Sequence, residues 1–139
     1  MIVVDTNVIA SLWVPNDMDE VAYKVLEKDP EWIAPLLWRS EFRNVLATYL
    51  RASILDISIA MQALEEAEGF MGGREYDVNS TQVLSFVSRS TCSSYDCEFV
   101  ALADDLNVKL VTFDKKMVRE FPDRCISPEE FVSFSVDLR

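Results

Sequence analysis

Carboxylate side chains dominate the chemistry that this sequence can perform. The chain has 139 residues, of which 24 are Asp or Glu, and it contains no histidine. The lack of histidine excludes Ser-His-Asp and Cys-His catalysis, an imidazole general base and zinc sites with histidine ligands. Acid–base or metal chemistry in this protein must therefore depend mainly on carboxylates, so the positions of the acids decide what it can do.

Two aspartates follow predicted β-strands. Asp5 comes directly after the apolar segment Ile2–Val4, and Asp114 lies two residues after a strand predicted to end at Thr112. In open sheets of parallel strands, ligands bind in the crevice beyond the carboxyl ends of the strands. An aspartate in this place also commonly caps the next helix, which is the simpler explanation for either residue alone. Two such residues, with more acids nearby, favour a functional site.

Two further acids fall near the starts of predicted helices. Glu41 lies in the first turns of a helix predicted over residues 37–52, and it shares a helix face with Asn44. Asp96 lies in the first turn of a helix predicted to start at Ser93 or Ser94. A negative side chain in that place also interacts favourably with the helix dipole. Neither position is diagnostic by itself.

The predicted elements alternate between short strands and longer amphipathic helices. Strands are predicted at residues 2–5, 32–34, 76–78, 109–112 and 124–126. Helices are predicted from a cap at Asp17 to about residue 28, over 37–52 and 56–70, from Asn79 or Ser80 through 87, from Ser93 or Ser94 to 106, and from the capping box at 127–130. This alternation predicts an α/β fold, with a short, mostly parallel sheet flanked by helices on both faces. The length predicts a single domain, residues 1–139.

Four segments of the chain resemble the motifs of PIN-domain proteins. They are Val3-Val4-Asp5-Thr6-Asn7-Val8-Ile9, Glu41-Phe42-Arg43-Asn44-Val45-Leu46, Tyr95-Asp96-Cys97-Glu98-Phe99-Val100-Ala101-Leu102-Ala103 and Leu110-Val111-Thr112-Phe113-Asp114-Lys115-Lys116. Each motif alone is weak, but the order, spacing and context of all four agree with the family over nearly the whole chain. Within the family, the sequence is most similar to the VapC-type toxin subunits of bacterial and archaeal toxin–antitoxin pairs.

The resemblance implies roles for individual residues. It implies that the catalytic, metal-binding acids are Asp5, Glu41, Asp96 and Asp114. It implies that the residues orienting these acids are Thr6, Asn7, Asn44 and Thr112. Cys97 departs from the family, in which a small residue such as alanine is more common, and we expect its side chain to pack inward. Oxygen ligands without histidine or cysteine favour a hard cation, Mg²⁺ or Mn²⁺, over zinc, and leave open whether one ion binds or two.

These observations lead to the hypothesis of a Mg²⁺- or Mn²⁺-dependent endoribonuclease. The resemblance further implies an RNA substrate and a cognate antitoxin whose tail blocks the acidic pocket, and a homodimer is expected because two-fold dimers are the commonest oligomers. Alternatives are an RNA-processing nuclease without an antitoxin, a non-catalytic PIN-like binding module, and a phosphatase with Asp5 as nucleophile. The phosphatase fits less well, because such enzymes commonly carry a second Asp two residues on, where this chain has Asn7.

The net charge of −11 is unusual for a nucleic-acid-binding protein. Contacts between phosphates and Lys or Arg side chains usually drive such binding. Basic residues nevertheless cluster near two of the motifs, and as a group they are the candidate RNA phosphate contacts: Arg39, Arg43, Lys115, Lys116 and Arg119. Taken singly, each is more simply explained as a solvated surface charge.

The chain reads as a cytoplasmic protein. The apolar start, residues 1–4, meets Asp5 at once and has no basic region before it, so neither a secretory nor a transmembrane segment is evident. The three cysteines, Cys92, Cys97 and Cys125, are odd in number and lack metal-binding spacing, which suits a reducing compartment.

Overall fold

A parallel β-sheet lies at the centre of the structure, a computed structural model that describes residues 1–134. Its strands are β1 (Ile2–Val4), β2 (Trp32–Pro35), β3 (Glu75–Tyr76), β4 (Leu110–Val111) and β5 (Cys125–Ile126), in the spatial order β3-β2-β1-β4-β5. Every neighbouring pair is parallel. The predicted α/β fold is confirmed; residues 135–139 of the predicted domain lie outside the described residues.

Residues 1–134 also contain eight helices. They are α1 (Thr6–Ala10), α2 (Asp19–Lys28), α3 (Leu37–Arg51), α4 (Ile57–Met71), α5 (Ser80–Ser88), α6 (Ser94–Leu106), α7 (Lys115–Glu120) and α8 (Pro128–Ser133). Of the paired alternatives at two helix starts, Asn79 caps α5 and Ser93 caps α6, each by accepting a backbone N–H with its side chain. The predicted Ser127 cap of α8, followed by Pro128 in the first turn, is confirmed.

The sheet is covered on both faces. Every residue of β1, β2, β4 and β5 is buried. Because consecutive strand residues point to opposite faces, burial of all of them requires packing on both sides. Helix α6 lies against β1, β2 and β4. Its Cys97 is fully buried, which confirms the predicted inward packing.

Some predicted boundaries are wrong. Helix α2 begins at Asp19 without a side-chain cap, because Asn16 rather than Asp17 accepts the Met18 N–H and folds the preceding turn. The strand predicted at 76–78 lies at Glu75–Tyr76. The short helices α1 and α7 were not predicted, since six residues or fewer are too short to show a helical period.

The sheet topology brings the first and fourth strands side by side. Val3 pairs with Leu110 and Val4 with Val111, so the carboxyl ends of β1 and β4 lie at the same edge. The backbone N–H of Asp5 donates to the carbonyl of Val111 at 3.0 Å, which extends this pairing past the end of β1. Two acids separated by more than a hundred residues of chain are thereby placed at one edge of the sheet.

Candidate active site

Asp5 is the most enclosed acid of the site, with 7% of its surface exposed. Its Oδ1 accepts the backbone N–H of Thr6 at 2.8 Å, and its Oδ2 accepts the hydroxyl of Thr112 at 2.6 Å. The first bond caps α1, so the helix-cap explanation is correct for this residue. The same carboxylate also lines a pocket at this edge of the sheet, so one side chain both caps a helix and contributes to the candidate site.

The pKa of Asp5 is raised to about 7, chiefly by burial and in smaller part by the nearby carboxylates of Glu41 and Asp96. The hydrogen bonds from Thr112 and Thr6 oppose this rise, because they stabilise the ionised form. Without a positive charge beside it, Asp5 is therefore partly protonated at neutral pH.

Glu41 lies one turn into α3 and points toward α1. The hydroxyl of Thr6 donates to its Oε1 at 2.7 Å. Burial raises the pKa of Glu41, and the charge of Asp96 adds to that rise while the Thr6 hydrogen bond opposes it. Thr6 thus links two acids, through its backbone N–H to Asp5 and through its hydroxyl to Glu41.

The start of α3 is held by its side chains rather than by a cap. Leu36 occupies the cap position and makes no side-chain cap hydrogen bond. Instead, Trp38 Nε1 donates to Glu75 at 2.7 Å and Arg39 Nη2 donates to the same carboxylate at 2.8 Å. Because Glu75 belongs to β3, these bonds fix the turn that carries Glu41 to the edge of the sheet.

Asp96 and Asp114 lie at the starts of α6 and α7. Within residues 1–134, the Asp96 carboxylate has no hydrogen-bond or ion-pair partner. Asp114 caps α7, since its Oδ1 accepts the backbone N–H groups of Lys116 at 2.9 Å and Met117 at 3.3 Å. The Thr112 hydroxyl oxygen accepts the Asp114 N–H at 3.0 Å while donating to Asp5, so one hydroxyl joins two of the acids.

All four predicted acids line one pocket of about 460 Å³, together with Thr6, Asn7 and Asn44. We call this the acidic pocket. No Lys or Arg is among the described residues that line it. An uncompensated set of carboxylate oxygens fits a hard divalent cation.

The side chains are not drawn together around a single point. Among the described residues, no three His, Cys, Asp or Glu side chains are grouped closely enough to hold a metal ion. Ionised carboxylates repel one another, and oxygens of Asp5, Glu41 and Asp114 are engaged by hydrogen-bond donors. This arrangement still fits Mg²⁺, which keeps several waters and takes only one or two carboxylates.

The four residues expected to orient the acids differ in what they contact. Thr6 and Thr112 bond directly to the acids. Asn7 instead accepts the backbone N–H of Phe113 with its Oδ1 at 3.3 Å, which ties α1 to the segment before Asp114. Asn44 lines the pocket, and its backbone carbonyl accepts the Thr48 hydroxyl.

The five basic residues are also placed differently from one another. Arg39 is bound to Glu75 and lies 3.3 Å from Glu68, so its guanidinium is already engaged. Arg43 is exposed and donates to Ser40, which lines the acidic pocket. Lys115 and Arg119 are exposed on α7, and the Lys116 ammonium donates to the Thr91 carbonyl at 3.2 Å.

Two residues near the site were not singled out from the sequence. Tyr95 is 60% exposed and lines the pocket. Burial raises the pKa of half-buried Glu98, and the charge of Glu41 adds to the effect. Residues i and i+2 of a helix are separated by about 200° of rotation and lie on nearly opposite faces. The position of Glu98, two residues after Asp96, therefore gave no reason to expect it near the other acids of the site.

Comparison with known proteins identifies the class. The PIN domain family model matches residues 2–121, and the chain therefore belongs to the PIN-domain family. A curated relative named Ribonuclease VapC3, from Pyrobaculum aerophilum, is 28% identical over 124 residues, which are 87% of this chain and 95% of the relative.

Solved structures agree on the fold. PAE2754 from Pyrobaculum aerophilum superposes with a TM-score of 0.73 at 18% identity, covering 94% of this chain and 92% of that one. FitAcB from Neisseria gonorrhoeae superposes with a TM-score of 0.71 at 17% identity, covering 93% and 99%. No helix within residues 1–134 is both long and apolar enough to cross a membrane.

Proposed function

We propose that this protein is a metal-dependent endoribonuclease and the toxin subunit of a toxin–antitoxin pair. The observation that carries the proposal is the acidic pocket, which is lined by four carboxylates with no basic side chain among the described lining residues. The similarity to a protein named Ribonuclease VapC3 supports RNA as the substrate.

The acids would divide the work according to their surroundings. Asp96 has no hydrogen-bond partner among residues 1–134, and Asp114 has one oxygen turned to the α7 cap. These two acids and Asp5 would hold a Mg²⁺ or Mn²⁺ ion, one or two of them directly and the rest through the water molecules that the ion keeps. When bound, such an ion neutralises phosphate charge, lowers the pKa of water and stabilises the leaving oxygen. Asp5 must be ionised to take part, and Thr112 favours that form by donating to it.

Glu41 is the acid best placed to accept a proton. Its Oε1 is fixed by Thr6, and burial raises its pKa, which makes it a stronger base than an exposed glutamate. We assign it the role of drawing a proton from the attacking water. Arg43, Lys115, Lys116 and Arg119 are the cations left to contact RNA phosphates, because Arg39 is engaged by Glu75.

Two protein partners belong to the proposal. An antitoxin that places an Arg side chain in the acidic pocket would neutralise the carboxylates and block the substrate. Apolar side chains at the junction of α3 and α4 are more than half exposed, namely Ile54, Ile57 and Met61, and this patch suits an antitoxin or a second copy of the chain. A cytoplasmic location follows from the same proposal.

The test is cleavage of a mixed RNA pool by the purified protein with Mg²⁺ or Mn²⁺, and with chelator added. The variants Asp5→Asn and Asp96→Asn are compared with Asp123→Asn, an exposed acid outside the pocket. We expect cleavage that chelator abolishes, that both pocket variants lower by more than about 100-fold, and that Asp123→Asn preserves.

Each other outcome contradicts a part of the proposal. Cleavage that survives both pocket substitutions would mean that these acids are not the catalytic ones. Hydrolysis of small phosphomonoesters in place of RNA would favour the phosphatase. Metal binding without hydrolysis of any RNA would favour a binding module.

A further inference from the structure

A second pocket adjoins the acidic pocket and differs from it in character. It has a volume of about 310 Å³ and shares Asn7 and Val45 with the acidic pocket. Its other walls include Val14, Met18, Tyr49 and Phe113. Of the described residues that line it, none is ionised at neutral pH. We call it the neutral pocket.

Hydrogen bonds hold the walls of the neutral pocket in place. Asn16 Nδ2 donates to the carbonyls of Ser11 and Val14, so the segment after α1 is folded by one side chain. The Tyr49 hydroxyl donates to the Pro15 carbonyl at 3.2 Å, which joins α3 to that segment. Binding to a preformed pocket costs little ordering of the protein.

Phe113 connects the two pockets along the chain. It lies between Thr112, which bonds to Asp5, and Asp114, which lines the acidic pocket. Its backbone N–H donates to Asn7, and Asn7 lines both pockets. A nucleotide strand with one phosphate among the acids can therefore place a neighbouring nucleoside in the neutral pocket.

The lack of charged side chains in the neutral pocket determines which part of a nucleotide can bind there. A second phosphate would gain no cation from these walls, in a chain of net charge −11. A nucleobase is neutral at pH 7, and its flat faces suit the rings of Phe113 and Tyr49. Arg39 is engaged by Glu75 and the net charge is −11, so contacts with bases would add to an affinity that phosphate contacts supply only in part.

We propose that the neutral pocket binds one unstacked nucleobase of the RNA, next to the phosphate that is hydrolysed in the acidic pocket. The inference rests on the proposed ribonuclease function. Phe113 and Tyr49 are then specificity-determining residues, since recognition of single-stranded RNA commonly relies on bases stacked on aromatic side chains.

The experiment uses a short single-stranded RNA with one cleavage site, in which each nucleotide in turn is replaced by an abasic ribose. We expect one position beside the cleaved bond at which base removal lowers kcat/KM by about 5- to 100-fold. In Phe113→Leu, which keeps an apolar side chain but removes the ring, the same removal should have little further effect. Tyr23→Ala, a half-exposed tyrosine that does not line the pocket, is the matched control and should leave the abasic profile unchanged.

A readout without hydrolysis accompanies the kinetics. The fluorescent base 2-aminopurine is placed at each position of the RNA in turn. One position, the one sensitive to base removal if the RNA is cleaved, should show a change in emission on binding to wild type, and this change should be lost in Phe113→Leu and Tyr49→Ala but kept in Tyr49→Phe. Folding of each variant is checked by urea unfolding, so that lost signal is compared only between folded proteins.

The outcomes separate the two proposals. RNA cleavage with a flat abasic profile, or with additive effects of base removal and Phe113→Leu, would overturn the nucleobase pocket and leave the nuclease standing. Such a flat profile is expected if the neutral pocket serves a protein partner. A position-specific change in 2-aminopurine emission without hydrolysis would support the pocket and overturn the nuclease.

Discussion

Thr112 and Asp5 lie 107 positions apart in the chain, and the hydroxyl of Thr112 donates to the carboxylate of Asp5 at 2.6 Å. Both groups are buried, with Thr112 fully enclosed. The same hydroxyl oxygen accepts the Asp114 N–H at 3.0 Å. A single side chain thus sets the orientation of one acid and the backbone of another.

The first prediction concerns this hydroxyl. Thr112→Val keeps the volume and removes both hydrogen bonds, so we expect RNA cleavage to fall by about 10- to 100-fold, as is usual when a group that orients a metal ligand is lost. Thr112→Ser retains the hydroxyl and should keep most of the activity. Metal titration of the two variants measures the effect directly, and equal metal affinity in both would contradict the assigned role.

The second prediction follows from the pKa of Asp5, which burial raises to about 7 from an ordinary value of 3.8. Between these two pH values the Asp5 carboxyl binds more protons in the folded state than in the unfolded state, so its contribution to metal-free stability falls as pH rises from about 4 to 7 and is constant above. The cost above pH 7 is on the order of 4 kcal/mol. Asp5→Asn should remove it.

Urea unfolding in chelator at pH 4 and pH 8 measures this dependence. Asp5→Asn should be more stable than wild type at pH 8, and the difference should shrink at pH 4, where the wild-type carboxyl is protonated in both states. Asp123→Asn, an exposed acid, is the control and should follow wild type at both values. A difference in stability between Asp5→Asn and wild type that is the same at pH 4 and pH 8 would show that the pKa of Asp5 is not raised in the folded protein.

The third prediction is stabilisation by the metal. A cation that binds the folded state alone raises stability with its concentration, and because Asp5 must lose its proton first, the gain should be larger at pH 8 than at pH 5. Adding Mn²⁺ or Mg²⁺ during thermal unfolding, with Asp5→Asn and Asp96→Asn alongside, tests this. The same rise in Tm for wild type and for Asp96→Asn would place the ion elsewhere.

The fourth prediction concerns the anchor of α3. Glu75→Ala leaves Trp38 Nε1 without its acceptor and releases Arg39, so we expect a loss of about 1–3 kcal/mol in the free energy of unfolding. Because Arg39 lowers the pKa of Glu75, this contribution is present above the ordinary glutamate pKa and is lost as pH falls through the lowered value. Glu65→Ala, on the exposed side of α4, is the control for urea unfolding and should change little.

Glu75→Ala also tests what positions Glu41, because Glu41 lies in the same turn of α3 as Arg39. If the anchor holds Glu41 in place, Glu75→Ala should lower kcat more than it raises KM, while Glu75→Gln, which can still accept from Trp38, should lie between Glu75→Ala and wild type. A stable, fully active Glu75→Ala would show that packing of Phe42 and Leu46 alone positions this helix.

Much of the site was predictable because its elements carry strong local signals. The β-branched residues before Asp5 predict a buried strand, and Asp56, Asn79, Ser93 and Ser127 mark helix starts that depend only on neighbouring N–H groups. Asp17 shows the limit of such signals. It is a good capping residue, but the side chain of Asn16, not that of Asp17, accepts the Met18 N–H, and the helix starts at Asp19 without a side-chain cap.

Long-range contacts decided what local signals could not. Arg39 lies beside a motif and looked like a phosphate contact, but Glu75, 36 positions away, takes its guanidinium. Nothing in the local sequence predicts that pairing, because it depends on the place of β3 beside β2 at the edge of the sheet.

The sequence by itself determined the chemistry of this protein. The chain has no histidine, and its acids lie after strands or at helix starts, in the order found in the PIN-domain family to which it belongs. The tertiary structure decided how those acids behave. Parallel pairing of β1 with β4 encloses Asp5 among other carboxylates, which raises its pKa, and the same pairing sets a pocket without charge beside them. Burial and proximity depend on which distant segments meet, and these distances are set only when the sheet forms.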